Sequence, residues 1–98
     1  METQSAEIQA VRVVITGRVQ GVWFRSWIKY QANQRDLVGW VRNRKNGTVE
    51  ALFSGPIYAV DEIIKECLVG PPGADVTDIK KFPAEALTVQ DFNTLVTL

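Results

Sequence analysis

The chain has 98 residues, of which 46% are apolar and 22% are charged, a composition typical of an ordinary globular protein. We expect residues 1–98 to form a single domain, with residues 1–7 disordered. No apolar run approaches the ~20 residues that a membrane helix needs, and the polar segment Met1–Glu7 is unlike a signal peptide. We therefore expect a cytoplasmic protein with no membrane contact.

The counts of histidine and cysteine exclude several kinds of chemistry. Histidine is absent, which removes the commonest general base near neutral pH and, with it, Ser–His and Cys–His nucleophilic catalysis. The single cysteine, Cys67, excludes an internal disulfide framework and a cysteine-rich zinc site. Cys67 follows the apolar spacing of a predicted helix, and we expect it to be a small buried core residue. Any catalysis must therefore rely on positioning and electrostatics, or on carboxylates, lysine or tyrosine.

The formal charges sum to zero but are unevenly distributed along the chain. Residues 1–50 contain eight basic and four acidic side chains, whereas residues 51–98 contain three basic and seven acidic ones. An anionic ligand is therefore expected to bind the first half, which carries a net positive charge. The alternative is a solvated surface of mixed charge with no ligand.

Hydropathy patterns predict strands and helices in the order β-α-β-β-α-β, followed by a further strand. Val11, Val13 and Ile15 fall on one face of the first strand. The dipeptide Asn46-Gly47 lies between two predicted strands and is the strongest short-range signal for a hairpin. In chain order, we predict a strand over 8–19, a helix from about residue 23, strands over 37–43 and 48–54, a helix from 56 to about 69, and strands over 76–82 and 89–98.

This order of elements is typical of a ferredoxin-like α+β sandwich with an added fifth strand. In that architecture two helices pack on one face of an antiparallel sheet, and the core lies between the two layers. Because this fold carries many unrelated functions, the function has to be argued from the site.

The first predicted strand is joined to the first predicted helix by the segment GRVQGVWFR, residues 17–25. Its two glycines, Gly17 and Gly21, allow a backbone turn in which successive N–H groups point at an anion. The helix N-terminus adds free N–H groups and a partial positive charge, and Arg25 can donate two parallel hydrogen bonds to phosphate oxygens. The segment can therefore form a phosphate-sized site, although glycine-bearing loops are common and the residues alone slightly favour the alternative, a plain strand–helix turn with an exposed arginine.

A second segment that could take part in a reaction is GWVRN, residues 39–43, which is followed by Gly47, Val49 and Gly55. The amide of Asn43 can accept a hydrogen bond from water and orient it, although it cannot act as a strong base. The alternative is that Asn43 caps the following turn, which is a common role for asparagine.

Together, the segments GRVQGVWFR (17–25) and GWVRN-x3-G-x-V-x5-G (39–55) resemble the two motifs of the acylphosphatase family. The resemblance implies hydrolysis of the carboxyl–phosphate bond of small-molecule acyl phosphates to a carboxylate and inorganic phosphate, without metal or cofactor. It also implies that Arg25 binds the phosphate and that Asn43 orients the attacking water. The implied phosphate cradle consists of the backbone N–H groups of Gln20, Gly21, Val22, Trp23, Phe24 and Arg25.

Three positions, Ile28, Asp36 and Arg44, differ from residues that are frequent in that family, and they bear on catalytic efficiency. Alternative functions are a non-catalytic or slow phosphate-binding module and the acylphosphatase-like portion of a larger carbamoyl-phosphate-handling enzyme. We expect no nucleic-acid binding, since the net charge is zero, the RNP1 pattern is absent, and most of the aromatic rings are expected in the core. We expect a monomer.

Overall fold

A computed structural model describes residues 7–98, which form a five-stranded sheet and two helices. The disorder predicted for residues 1–6 lies outside the described residues, whereas the Glu7 carbonyl accepts a hydrogen bond from the Ile57 N–H at 3.0 Å. The elements are β1 (Ile8–Arg18), α1 (Phe24–Gln34), β2 (Val38–Asn43), β3 (Val49–Pro56), α2 (Ile57–Val69), β4 (Asp75–Ala84) and β5 (Phe92–Thr94). No helix within 7–98 is long and apolar enough to cross a membrane.

The strand order across the sheet is β4-β1-β3-β2-β5. The first four of these strands pair antiparallel with their neighbours, as the predicted ferredoxin-like sandwich requires. The predicted fifth strand is present, but it pairs in parallel with β2, so the complete sheet is mixed. It is also shorter than predicted, although the N–H groups of Leu95 and Leu98 still donate to the carbonyls of Val41 and Asn43. The end of the chain therefore follows β2 without forming a continuous ladder.

The core lies between the sheet and the two helices. Alternate residues of β1 and β3 face the helices, and Ile15 and Phe53 are fully buried there together with Ile28 of α1 and Ile63 of α2. Cys67 is buried in the same core, as predicted. Burial disfavours the thiolate and raises the pKa of Cys67 to about 12, so the thiol is unreactive near neutral pH.

The opposite face of the sheet is partly covered by the connection between β4 and β5, residues 85–91. These two strands occupy opposite edges of the sheet, so the chain must cross from one edge to the other. It crosses the face without helices, where the Leu87 N–H donates to Ser54 Oγ at 3.2 Å.

The predicted β2–β3 hairpin is present, but its turn is not the tight two-residue type. Gly47 has a positive φ of 93°, whereas Asn46 does not, and the Gly47 N–H donates to the Arg44 carbonyl. The Asn46 side chain instead accepts hydrogen bonds from the N–H and hydroxyl of Thr48. The result is a four-residue turn that leaves Asn43 as the last residue of β2.

Gly39 allows β2 and β3 to lie close together, and its replacement tests this packing. Its φ is 144°, and a Cβ at this position would overlap the Leu52 carbonyl oxygen. We expect Gly39→Ala to lower the free energy of unfolding by about 2–5 kcal/mol through backbone strain and overpacking. Gly47→Ala has open space around it and should lower the free energy by about 1 kcal/mol. Urea denaturation measures both, and equal losses would contradict this packing.

Candidate active site

A pocket of about 500 Å³ lies where the β1–α1 loop and the start of α1 meet the end of β2. It contains Asn43 and five of the six predicted cradle residues; the exception is Val22, whose side chain packs towards the core. Four of the lining residues were not predicted as site residues: Val19, Ser26, Lys29 and Thr94. The complete lining is Val19, Gln20, Gly21, Trp23, Phe24, Arg25, Ser26, Lys29, Asn43 and Thr94.

The loop reaches the helix through two residues in the left-handed region. Gly21 has a φ of 75°, and Trp23, directly before α1, has a φ of 66° and a ψ of 24°. No side chain caps the N-terminus of α1. The N–H groups of the first helical turn are therefore left for a ligand or solvent, at the end of the helix dipole that attracts anions.

The Gln20 side chain joins this loop to the β2–β3 hairpin. Its Nε2 donates to the carbonyl oxygens of Arg44 and Thr48, both at 2.8 Å. Both N–H bonds of the amide are thus directed at backbone acceptors that lie 24 and 28 residues away in the chain. This contact brings the loop against the end of β2, and it was missed because the sequence analysis considered only the backbone N–H of Gln20.

Asn43 lines the pocket and carries an unusual acceptor atom. Its Oδ1 is buried and has no hydrogen-bond partner within residues 7–98. An unsatisfied buried acceptor is unfavourable by about 1–3 kcal/mol, so such atoms call for an explanation. Capping of the turn does not explain it, because the Thr48 N–H bonds the Asn46 side chain instead. Asn43 therefore combines a place in the pocket lining with an acceptor oxygen that no group of residues 7–98 satisfies.

The cationic side chains of the pocket have no acidic partner in the described part of the chain. Arg25 is the second residue of α1, and Lys29 follows one helical turn later on the same face. Neither forms an ion pair within residues 7–98, and no aspartate or glutamate lines the pocket. The pocket is thus electrostatically suited to an anion.

The other arginines of the first half serve different contacts. Arg12, Arg42 and Arg44 bind the carboxylate of Glu50 at 3.0, 2.8 and 2.8 Å, and we call these four residues the Glu50 cluster. The Glu50 side chain is only 4% exposed and lies on the face of the sheet without helices. The positive charge of the first half was predicted to attract an anion. At the pocket, two of its basic residues, Arg25 and Lys29, supply that charge.

The Glu50 cluster holds the end of β2 in register. Because side chains alternate along a strand, Arg42 and Arg44 point to the cluster while Asn43, between them, points to the pocket. Burial alone would raise the pKa of Glu50, but hydrogen bonds from Arg44, Arg42 and Arg12 and the charge of Arg42 outweigh it. The pKa is therefore lowered from its ordinary value of 4.5.

Residues 11–94 match the family model described as acylphosphatase. The chain belongs to the acylphosphatase family. An acylphosphatase from Rhodopseudomonas palustris (strain BisB18) is 50% identical over 93 residues, which cover 89% of this chain and 94% of that relative. The crystal structure of acylphosphatase from Bacillus subtilis is similar with a TM-score of 0.84 at 36% identity, covering 91% of this chain and 99% of the other.

One portion of a much larger protein also has a similar structure. Full-length HypF, crystallised in a phosphate- and nucleotide-bound form, is similar with a TM-score of 0.87 at 26% identity. The match covers 98% of this chain but 13% of the HypF chain, so the likeness concerns one portion of that protein.

The three departures from the acylphosphatase pattern lie outside the pocket lining. Ile28 is fully buried in the core, and Asp36 has a φ of 55°, a conformation that glycine adopts more readily. Arg44 donates to Glu50 at 2.8 Å, so its guanidinium is engaged on the opposite face of the sheet. Within residues 7–98 there is also no cluster of three or more His, Cys, Asp or Glu side chains that could hold a metal ion.

Removal of the Glu50 charge tests the cluster. We expect Glu50→Gln to lower the free energy of unfolding at pH 7 by about 1–3 kcal/mol, because three arginines would lose a buried anionic partner. The matched control is Glu62→Gln, whose side chain is 61% exposed beside Arg35 and whose loss should be below about 1 kcal/mol.

The pH dependence of the free energy of unfolding tests whether the effect of Glu50→Gln comes from the lost charge. Because the folded-state pKa of Glu50 lies below 4.5, its ionised form contributes stability above that pH, and the contribution is lost as the pH falls through the folded-state value. The difference in stability between the native chain and Glu50→Gln should therefore shrink on acidification below pH 4.5. A difference that stays constant from pH 7 to pH 3 would rule out the proposed charge effect.

Proposed function

We propose that this chain hydrolyses acyl phosphates at the bond between the carboxyl group and the phosphate. The observation that carries the proposal is the meeting, in one pocket, of Arg25, the N-terminus of α1 with its free N–H groups, and Asn43, whose buried Oδ1 has no partner within residues 7–98. The products are a carboxylate and inorganic phosphate. We further propose that the protein acts as a cytoplasmic monomer without a metal ion or cofactor.

In the proposed complex, the phosphate group occupies the mouth of the β1–α1 loop. The backbone N–H groups of residues 20–25 donate to its oxygens, and the Arg25 guanidinium adds up to two parallel hydrogen bonds. These donors neutralise the charge that spreads over the phosphoryl oxygens during transfer. Positioning and electrostatic stabilisation of this kind dominate the catalysis of phosphoryl transfer, so no histidine or covalent nucleophile is required.

The proposed role of Asn43 is to hold the attacking water. In the proposed complex the Asn43 amide turns so that its Oδ1 faces the pocket and accepts one O–H of the water, which leaves an oxygen lone pair free to attack phosphorus. The new bond joins the water oxygen to phosphorus, the bond from phosphorus to the acyl oxygen breaks, and its electron pair leaves with the carboxylate. The proton of the water passes to solvent. A carboxylate has a conjugate-acid pKa of about 4, so its departure needs no general acid.

The first test uses benzoyl phosphate, whose hydrolysis is followed by its ultraviolet absorbance in the presence of a chelator. We expect rapid hydrolysis by the native chain, and Arg25→Ala should lower kcat/KM at least ~100-fold, because it removes the strongest donor to the phosphate. Inhibition by inorganic phosphate should weaken in the same variant. If the folded native chain binds phosphate without hydrolysing the substrate, the protein is a phosphate-binding module and the proposal fails.

The second test separates water positioning from binding. Asn43→Ala should lower kcat about 100-fold while the inhibition constant of inorganic phosphate changes less than about threefold. Asn33→Ala, an exposed asparagine of α1 outside the pocket, serves as the matched control and should retain native kinetics. A variant at Asn43 that loses phosphate affinity but keeps kcat would contradict the assigned role.

A further inference from the structure

Trp23 stands out among the residues of the pocket. Its side chain is 83% exposed, whereas the other large apolar side chains of the lining, Val19 and Phe24, are 1% and 2% exposed. Most of the rings of Trp23, Phe24, Trp27 and Trp40 were expected in the core, and Trp23 is the exposed one of these four. Its residue belongs to the pocket lining, two residues before Arg25.

Fold stability does not account for tryptophan at this position. The backbone of Trp23 is left-handed, with φ 66° and ψ 24°, a conformation that is rare for bulky residues and free of steric penalty for glycine. A strained residue is usually compensated by packing, but this exposed ring buries little surface against the protein. Strain of this type tends to occur where a ligand is bound.

The position of the Trp23 ring is set by its backbone. The Trp23 carbonyl accepts hydrogen bonds from the Trp27 N–H at 3.0 Å and from the Ser26 hydroxyl at 3.2 Å. The residue is therefore fixed as the last one before α1. The ring therefore extends from a fixed point of the proposed phosphate cradle, and it is part of the pocket lining.

The size of the pocket leaves room for more than a phosphate. A volume of about 500 Å³ lies within the range of sites that hold whole small-molecule ligands. An acyl phosphate carries its acyl group directly on the phosphate, so that group has to lie within a few ångströms of the cradle. Trp23 provides the exposed apolar surface of the lining against which such a group can pack.

We propose that Trp23 is a specificity-determining residue that selects acyl phosphates with an aromatic or extended apolar acyl group. The inference rests on the proposed function and names its substrate class. The acyl group stacks on the indole ring and removes apolar surface of both partners from water, with the added preference of aromatic pairs for offset or edge-to-face contact. Small acyl groups cannot reach the same contact.

The test compares kcat/KM for benzoyl phosphate with kcat/KM for acetyl phosphate. We expect Trp23→Ala to lower the ratio of the two values about fivefold or more, and Trp23→Phe to keep most of it. Trp23→Gly relieves the backbone strain and guards against loss of folding, and its ratio should fall as in Trp23→Ala. The control Tyr58→Ala removes another aromatic ring, 70% exposed on α2, and should leave the ratio unchanged.

A binding measurement separates this inference from the proposed function. Phenylphosphonate and methylphosphonate are unreactive, and their affinities can be measured by calorimetry whether or not the chain hydrolyses anything. We expect phenylphosphonate to bind more tightly, with a preference that falls about fivefold in Trp23→Gly. If folded Trp23→Gly keeps the native preference for phenylphosphonate, the role of Trp23 is overturned. If the native chain hydrolyses no acyl phosphate but shows a preference that Trp23→Gly loses, only the proposed reaction is overturned.

Discussion

The hydrogen bonds of one amide side chain determine the arrangement of the candidate site. Gln20 donates from Nε2 to the carbonyls of Arg44 and Thr48, and so fastens the β1–α1 loop to the β2–β3 hairpin. The two proposed catalytic residues, Arg25 and Asn43, come from segments that are 18 positions apart, on a helix and on a strand end. Without a fixed contact between loop and hairpin, the separation of a bound phosphate from a water on Asn43 would fluctuate, and small errors in such geometry lower reaction rates strongly.

Contacts on both faces of the sheet fix the position of the site. On one face, Asn43 points into the pocket; on the other, its neighbours Arg42 and Arg44 bind the buried carboxylate of Glu50. The Leu98 N–H also donates to the Asn43 carbonyl, so the end of the chain supports the same residue. An isolated buried carboxylate would be strongly unfavourable, and three guanidinium groups are what make Glu50 stable there. The proposed water-holding residue thus sits on a rigid strand end rather than on a mobile loop.

Sequence patterns predicted the order of the first six elements, the ferredoxin-like arrangement and most of the pocket residues. Local signals were sufficient for the elements, because strand alternation, glycines and the Asn46-Gly47 dipeptide act over short distances, whereas the pocket residues were predicted from the resemblance to the acylphosphatase family. Contacts between distant segments carry no such signal: nothing near Gln20 indicates that its amide reaches the hairpin. The parallel pairing of β5 likewise depends on how residues 85–91 cross the sheet. Hydrophobicity favours burial, so it gave no sign that Trp23 is exposed beside the pocket, in a left-handed backbone conformation.

The central claim is that a water held by Asn43 attacks phosphorus and not the acyl carbon. Hydrolysis of acetyl phosphate in water labelled with oxygen-18 tests it directly, because mass spectrometry of the products shows which of them contains the new oxygen. We expect the label in inorganic phosphate and none in acetate beyond the uncatalysed background. Label in the acetate would mean attack at the carbonyl carbon, and it would contradict both the role of Asn43 and the phosphate-centred arrangement of the site.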